Sequence, residues 1–233
     1  LREAELLRRL RHRNVIGYHD QFITRDGKLA IVMDYAEGGD LYRTIQSHKQ
    51  RGKPFPERAV LHVFAQLCLG VAHLHAAKVL HRDLKSQNIF LAAGRVVKLG
   101  DFGIARVLEH TRAFARTQIG TPLYLAPEIV LDRPYTYQAD VWALGCVLYE
   151  MCALALPFVA GDLPSLAKKV VRARPRPLSA RTYSAGLRAL CARLLQKRPA
   201  DRPTVAAILA TPVVREALRA LPGGGGHSAG GGG

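Results

Sequence analysis

The chain has 233 residues, 48% hydrophobic and 22% charged, which suffices for a substantial core and excludes disorder or a collagen-like repeat for the bulk of it. Lys and Arg number 34 against 18 Asp and Glu, a net charge of +16 at pH 7 that leaves acidic partners open. The first residues are charged and periodic, unlike a signal peptide, and the chain, opening at Leu1 in mid-helix pattern, reads as a fragment. Leu6, Leu7 and Leu10 among Glu and Arg predict the last turns of an amphipathic helix ending near His12. Two strand-like runs follow, Val15–Ile23 and Leu29–Asp34, joined by Arg25, Asp26 and Gly27. Glu57–His75 carries Val60, Val63, Phe64, Leu67, Val71 and Leu74 at helical spacing, which predicts a long helix with one apolar face. Short β-type runs over Asn88–Leu91 and Val96–Leu99 are split by Gly94, and a polar loop spans Glu109–Gln118. Helices are then expected over Gln138–Cys152, Leu163–Val171, Ser184–Gln196 and Thr204–Leu209, punctuated by Pro175, Pro177, Pro199 and Pro203.

The longest apolar stretch, Val141–Gly161, has the length of a membrane span but holds Glu150 and Pro157, so a buried core helix and turn are expected, with no membrane partner. Cys68, Cys146, Cys152 and Cys191 lack metal-type spacing and sit in apolar helical contexts, which predicts reduced core thiols. A cytoplasmic location follows as the expectation, with cytoskeleton, cilium and nucleus left open. The Gly-rich residues 222–233 cannot form a core and are expected to be a disordered tail.

The chemistry concentrates in His81-Arg82-Asp83-Leu84-Lys85-Ser86-Gln87-Asn88, followed by Asp101-Phe102-Gly103 and then Ala126-Pro127-Glu128. Alone, Asp101 ahead of Gly103 reads as an ordinary turn aspartate. Together and in this order, the three motifs resemble a eukaryotic protein kinase. The resemblance implies an α+β, protein-kinase-like fold with a mostly helical large lobe and a truncated small-lobe sheet. Residues 1–35 would be the small-lobe remnant and 36–221 the large lobe. It also implies ATP and Mg²⁺ as cofactors and serine or threonine side chains of proteins as acceptors. Phosphoryl transfer asks little covalent work of the protein, so catalysis is positioning and charge neutralisation. On this pattern Asp83 accepts the proton of the substrate hydroxyl, Lys85 neutralises charge on the transferred group, and Asn88 and Asp101 offer oxygen ligands to magnesium.

Further positions follow from the same resemblance. Met33 falls at the gatekeeper of the adenine pocket, the backbone of Asp34, Tyr35 and Ala36 at its hinge, and Phe90 at its floor. Asp40, within Glu37-Gly38-Gly39-Asp40-Leu41, joins the nucleotide-binding set. Glu3 matches the glutamate that pairs with the phosphate-anchoring lysine, while Leu7, Tyr18, His81 and Phe102 match an apolar spine. Glu128 and Arg202 match a buried ion pair, and Asp140 and Trp142 match the central helix beneath the catalytic loop. Lys85 after Asp83-Leu84, with Gly120-Thr121-Pro122, points to serine/threonine acceptors. The wording of residues 100–108 and 115–122 is similar to NIMA-related (NEK) kinases. That likeness places an activating phosphosite at Thr117, with Arg82 and Arg106 as its partners and Thr121 nearby. Leu123, Ala126 and Arg13 depart from the usual tyrosine, serine and proline.

No Gly-x-Gly-x-x-Gly precedes residue 15, so the chain as given is expected to lack the phosphate-cradling loop and anchoring lysine. A competing expectation is a non-catalytic, pseudokinase-like scaffold that binds acidic protein surfaces, such as tubulin tails, through the basic stretch 168–202. Tyr183 is the only aromatic there, so no nucleic-acid partner is expected.

Overall fold

A computed structural model describes residues 10–100 and 123–221. Strands β1 (Tyr18–Ile23) and β2 (Leu29–Met33) form an antiparallel hairpin, Phe22 opposite Ala30, closed by a turn in which Gly27 takes φ 78°. Helices α1 (Leu41–Gln50) and α2 (Glu57–Ala76) lead to a second antiparallel hairpin, β3 (Ile89–Ala92) and β4 (Val96–Leu99). After it come α3 (Pro127–Val130), α4 (Tyr137–Ala153), α5 (Leu163–Arg172), α6 (Ala185–Leu194), α7 (Val205–Leu209) and α8 (Pro212–Arg219). Helices predominate over two short sheets, the α+β arrangement expected.

Helix α2 buries the predicted face: Val60, Phe64, Leu67, Val71 and Leu74 are fully enclosed, and Val63 is half-buried against them. This is the described helix long and apolar enough to cross a membrane by length, and half of that window is buried among α4, β4, α7 and α8. Helix α4 is enclosed on all sides from Ala139 to Cys152, as a core helix requires. It ends where Leu154 turns left-handed at φ 52°, so Val141–Gly161 is a helix and a turn. All four cysteines are buried and free.

Several helix starts are set by side-chain caps. Asp40 Oδ1 accepts from Arg43 N (2.7 Å), Asp162 Oδ1 from Ser165 N (2.7 Å), Ser184 Oγ from Leu187 N (3.2 Å) and Thr204 Oγ1 from Ala207 N (3.2 Å). Ser184 and Thr204, expected as helical residues, therefore sit one position outside their helices.

Helices α4 and α6 approach closely at Gly145, where an added Cβ would stand 2.7 Å from Leu194 Cβ. That contact is with a branch point fixed to the backbone and cannot swing away. Gly145→Ala is expected to destabilise the chain by about 1–3 kcal/mol, read as a lowered thermal midpoint, despite alanine's better helix propensity.

Candidate active site

Residues 81–88 run from the end of α2 into β3 and lie over α4. Asp140, fully buried near the start of α4, organises them. Its Oδ2 accepts from His81 N (3.0 Å) and His75 Nε2 (2.8 Å); its Oδ1 accepts from Arg82 N (3.1 Å) and Tyr135 Oη (2.7 Å). Burial works to raise this carboxyl, but the bonds from His75, His81 and Tyr135 outweigh it and hold the pKa below the usual carboxylate range. Arg82 takes φ 66°, a left-handed conformation unusual for a long side chain, and the Asp140 bonds hold it there. The His81 ring is enclosed, and burial lowers its pKa.

The bend presents Asp83, Lys85 and Asn88 as one cluster. Lys85 Nζ donates to Asp83 Oδ2 at 2.8 Å, and Asn88 Nδ2 donates to Asp83 O and Asp83 Oδ2, both at 2.9 Å. Asn88 is buried, whereas the Asp83 and Lys85 side chains are each about one-third exposed and open to a reactant. Both Asn88 Nδ2 hydrogens point to Asp83, so Oδ1 is the amide atom left to ligate a cation. A donor set of amide and carboxylate oxygens suits a hard ion such as Mg²⁺. Among the described residues no trio of His, Cys, Asp and Glu is gathered to hold a metal unaided.

Residues 34–40 cross from β2 into α1 and pass beside β3. Gly38 N donates to Leu91 O (2.8 Å) and Leu91 N to Gly39 O (2.9 Å), which fixes this segment beside Phe90. A Cβ at Gly100 would stand 2.6 Å from the Phe90 ring, so a glycine is needed there. Met33 is 41% and Tyr35 85% exposed. The Asp34 carboxylate is turned away from the crossing and toward β1 and β4, where Oδ2 accepts from Lys98 Nζ (2.7 Å) and Gly17 N (2.9 Å) and Oδ1 from His19 Nε2 (2.8 Å). Burial opposes ionisation, but Lys98, Gly17 and His19 prevail and bring its pKa to about 2. Folded Asp34 thus titrates below its unfolded value of about 3.9, so its stabilisation is complete above pH ~4 and disappears as pH falls toward 2. The urea midpoint of the native chain should exceed that of Asp34→Asn above pH ~4, and the two should converge near pH 2.

Two further networks frame the cluster. Tyr124 Oη donates to Glu150 Oε2 at 2.6 Å, and Ser86 Oγ lies 3.0 Å from Tyr124 Oη and 3.3 Å from Glu150 Oε1. Burial raises the pKa of both Tyr124 and Glu150. This triad joins the 81–88 loop to the segment before α3 and was not anticipated; the sole sequence signal was a glutamate inside an apolar run. Below it, Arg202 meets Glu128 in a two-pronged pair, Nη1–Oε1 and Nη2–Oε2 both 2.7 Å, fully enclosed as expected.

The basic stretch 168–202 divides in two. Arg202 is internal, and Lys197 lies half-buried with Nζ 4.1 Å from the Phe158 ring centroid and bonded to Val170 O. Lys169 and Arg188 also bond backbone carbonyls, while Lys168, Arg172, Arg174, Arg176 and Arg193 are exposed. Glu3, Leu7, Asp101, Phe102, Arg106, Thr117 and Thr121 lie outside the described residues.

Residues 1–214 match the family described as protein kinase domain. The chain is 49% identical over 208 residues to serine/threonine-protein kinase Nek1 of Mus musculus, covering 89% of this chain and 17% of Nek1. It is 45% identical over 218 residues to Nek5 of Homo sapiens, covering 93% and 30%, and 43% identical over 220 residues to Nek2 of Mus musculus, covering 92% and 49%. The chain therefore spans less than half the length of these relatives.

Proposed function

The chain belongs to the protein kinase family, is similar within it to the Nek serine/threonine kinases, and on that premise we propose that it supplies the catalytic loop of an enzyme phosphorylating serine or threonine in proteins. The observation that supports this most is that Lys85 and Asn88 both lie within 3 Å of the Asp83 carboxylate, on a backbone held by Asp140.

In this reading the acceptor hydroxyl binds at Asp83, displacing Lys85 from Oδ2. Asp83 would orient the hydroxyl toward the γ-phosphorus and take its proton as the new O–P bond forms and the bond to the β-phosphate oxygen breaks, releasing ADP. Lys85 then swings to the transferred phosphoryl and neutralises its charge. Asn88, with Asp101, would hold Mg²⁺, which when bound neutralises the phosphates of ATP. Adenine would lie against Phe90. Asp34 N already donates to Gly17 O at 2.8 Å, so adenine's hydrogen bonds would fall to the Asp34 carbonyl and the Ala36 backbone, with Met33 behind. Asp40, whose Oδ1 caps α1, would reach the nucleotide through its other oxygen. Glu3 would face an anchoring lysine, and Arg82 and Arg106 would receive a phosphate on Thr117, next to the Thr121 region. Acidic protein surfaces, tubulin tails among them, are partners for the exposed cations of 168–202. Buried free thiols support a reducing, cytoplasmic setting.

The 233 residues contain no glycine-rich phosphate loop. The test therefore uses residues 1–221 preceded by the glycine-rich and lysine-bearing strands of a Nek kinase. Transfer of the γ-phosphate from Mg·ATP to serine and threonine peptides, and none to tyrosine peptides, is the expected result. Failure to transfer to any of them would overturn the assignment.

A further inference from the structure

We propose that the chain carries a seat for an acidic peptide segment bearing an aliphatic residue, formed where the 13–14 segment, α2, the β3–β4 turn and the end of α8 meet. A cavity of about 390 Å³ opens there. Its apolar lining comes from Leu69, Leu218 and Leu221, all only half-buried, which is where an aliphatic side chain would be taken up. Around them stand Arg13, Arg95 and Arg219, all exposed, with His62 half-buried between. Among the described residues, no aspartate or glutamate lines the cavity.

Beneath two of the cations the backbone is held by a buried amide network. Asn14 Nδ2 donates to Gln66 Oε1 (2.9 Å) and Val97 O (2.8 Å), and Gln66 Nε2 donates to Arg95 O (3.0 Å). His62 Nε2 also lies 3.1 Å from Arg95 O. This buried amide network ties three of the four segments together. It pins Arg95 in a turn where Gly94 and Arg95 take φ 67° and 61°. Two of the arginine-bearing positions are thus fixed before any ligand arrives, which lowers the ordering cost of binding. Guanidinium groups accept carboxylates through two parallel bonds, so carboxylates flanking a seated leucine complement this rim. A peptide is favoured over single-stranded nucleic acid because the described lining residues offer leucines and no Phe, Tyr or Trp for bases to stack on. The seat lies on elements other than the 168–202 stretch, and the inference does not depend on phosphotransfer.

The test is fluorescence anisotropy on the 233-residue chain with a labelled dodecapeptide carrying two leucines among glutamates. The same peptide with glycine for leucine, and a uridine dodecamer, serve as competing probes. The leucine peptide should bind, weaken as salt rises, and bind at least tenfold more weakly to Arg95→Glu and to Arg219→Glu. The Lys168→Glu/Arg172→Glu double variant, on α5, changes the separate basic stretch and should weaken binding less than either cavity variant, and circular dichroism should show every variant folded. Four results would each overturn the proposal. They are no binding, equal binding of the glycine peptide, a loss confined to the α5 variant, and tighter binding of the oligonucleotide with loss in the same cavity variants.

Discussion

Arg202→Ala is expected to lower the unfolding free energy by about 3–5 kcal/mol, the loss that follows when one partner of a buried ion pair is removed. The Arg202 side chain is wholly enclosed, and that of Glu128 is 4% exposed. The guanidinium also reaches three carbonyls: Gln196 O from Nε (2.8 Å), Gln138 O from Nη1 (2.7 Å) and Lys197 O from Nη2 (3.2 Å). Alanine would leave a buried carboxylate and these oxygens without their donors, and would remove the face that lies 5.0 Å from the Trp142 ring centroid. For a chain of this size the thermal midpoint should fall by about 6–20 °C, measured by circular dichroism. Glu128→Leu added to Arg202→Met should restore only part of the loss. The pair can be replaced by apolar contact, but the three carbonyls cannot. A drop below about 1 kcal/mol for Arg202→Ala would show that the pair does not hold α3 to the rest.

Asp83→Asn should reduce the rate of transfer by about 10²–10⁴ in the kinase domain completed by glycine-rich strands, the range that general-base catalysis contributes. Asparagine keeps the shape and can still accept from Asn88 Nδ2, but it cannot take a proton, and it weakens the contact with Lys85. KM for ATP should change little, because Asp83 meets the acceptor rather than the nucleotide. A kcat within threefold of the parent would remove the role assigned to Asp83.

The loop holding Asp83, Lys85 and Asn88 was legible because chemistry dictates both residue type and spacing there. Helices α2 and α4 were legible through apolar periodicity and length. Helices α1, α3 and α8 were not singled out: each is short or polar, and α3 begins at Pro127, a residue that in isolation marks a break. Asp34 illustrates a different difficulty. Sequence places it at a hinge, yet its carboxylate finds Lys98, 64 residues away, and no local pattern reports that partner. Glu150 was conspicuous as a charge in an apolar helix, but its partners Tyr124 and Ser86 become neighbours only when the chain folds.

The four donors converging on Asp140 bear on the timescale of opening. Residues 81 and 82 belong to no helix or strand, and amides in such stretches usually exchange with solvent through small local fluctuations. Here both N–H groups end on a buried carboxylate in the first turn of α4, so releasing either exposes a buried charge. Their hydrogens should therefore exchange as slowly as those of α4 itself, only when the whole helical body unfolds. In Asp140→Ala these two should become fast while the amides of α2 stay slow.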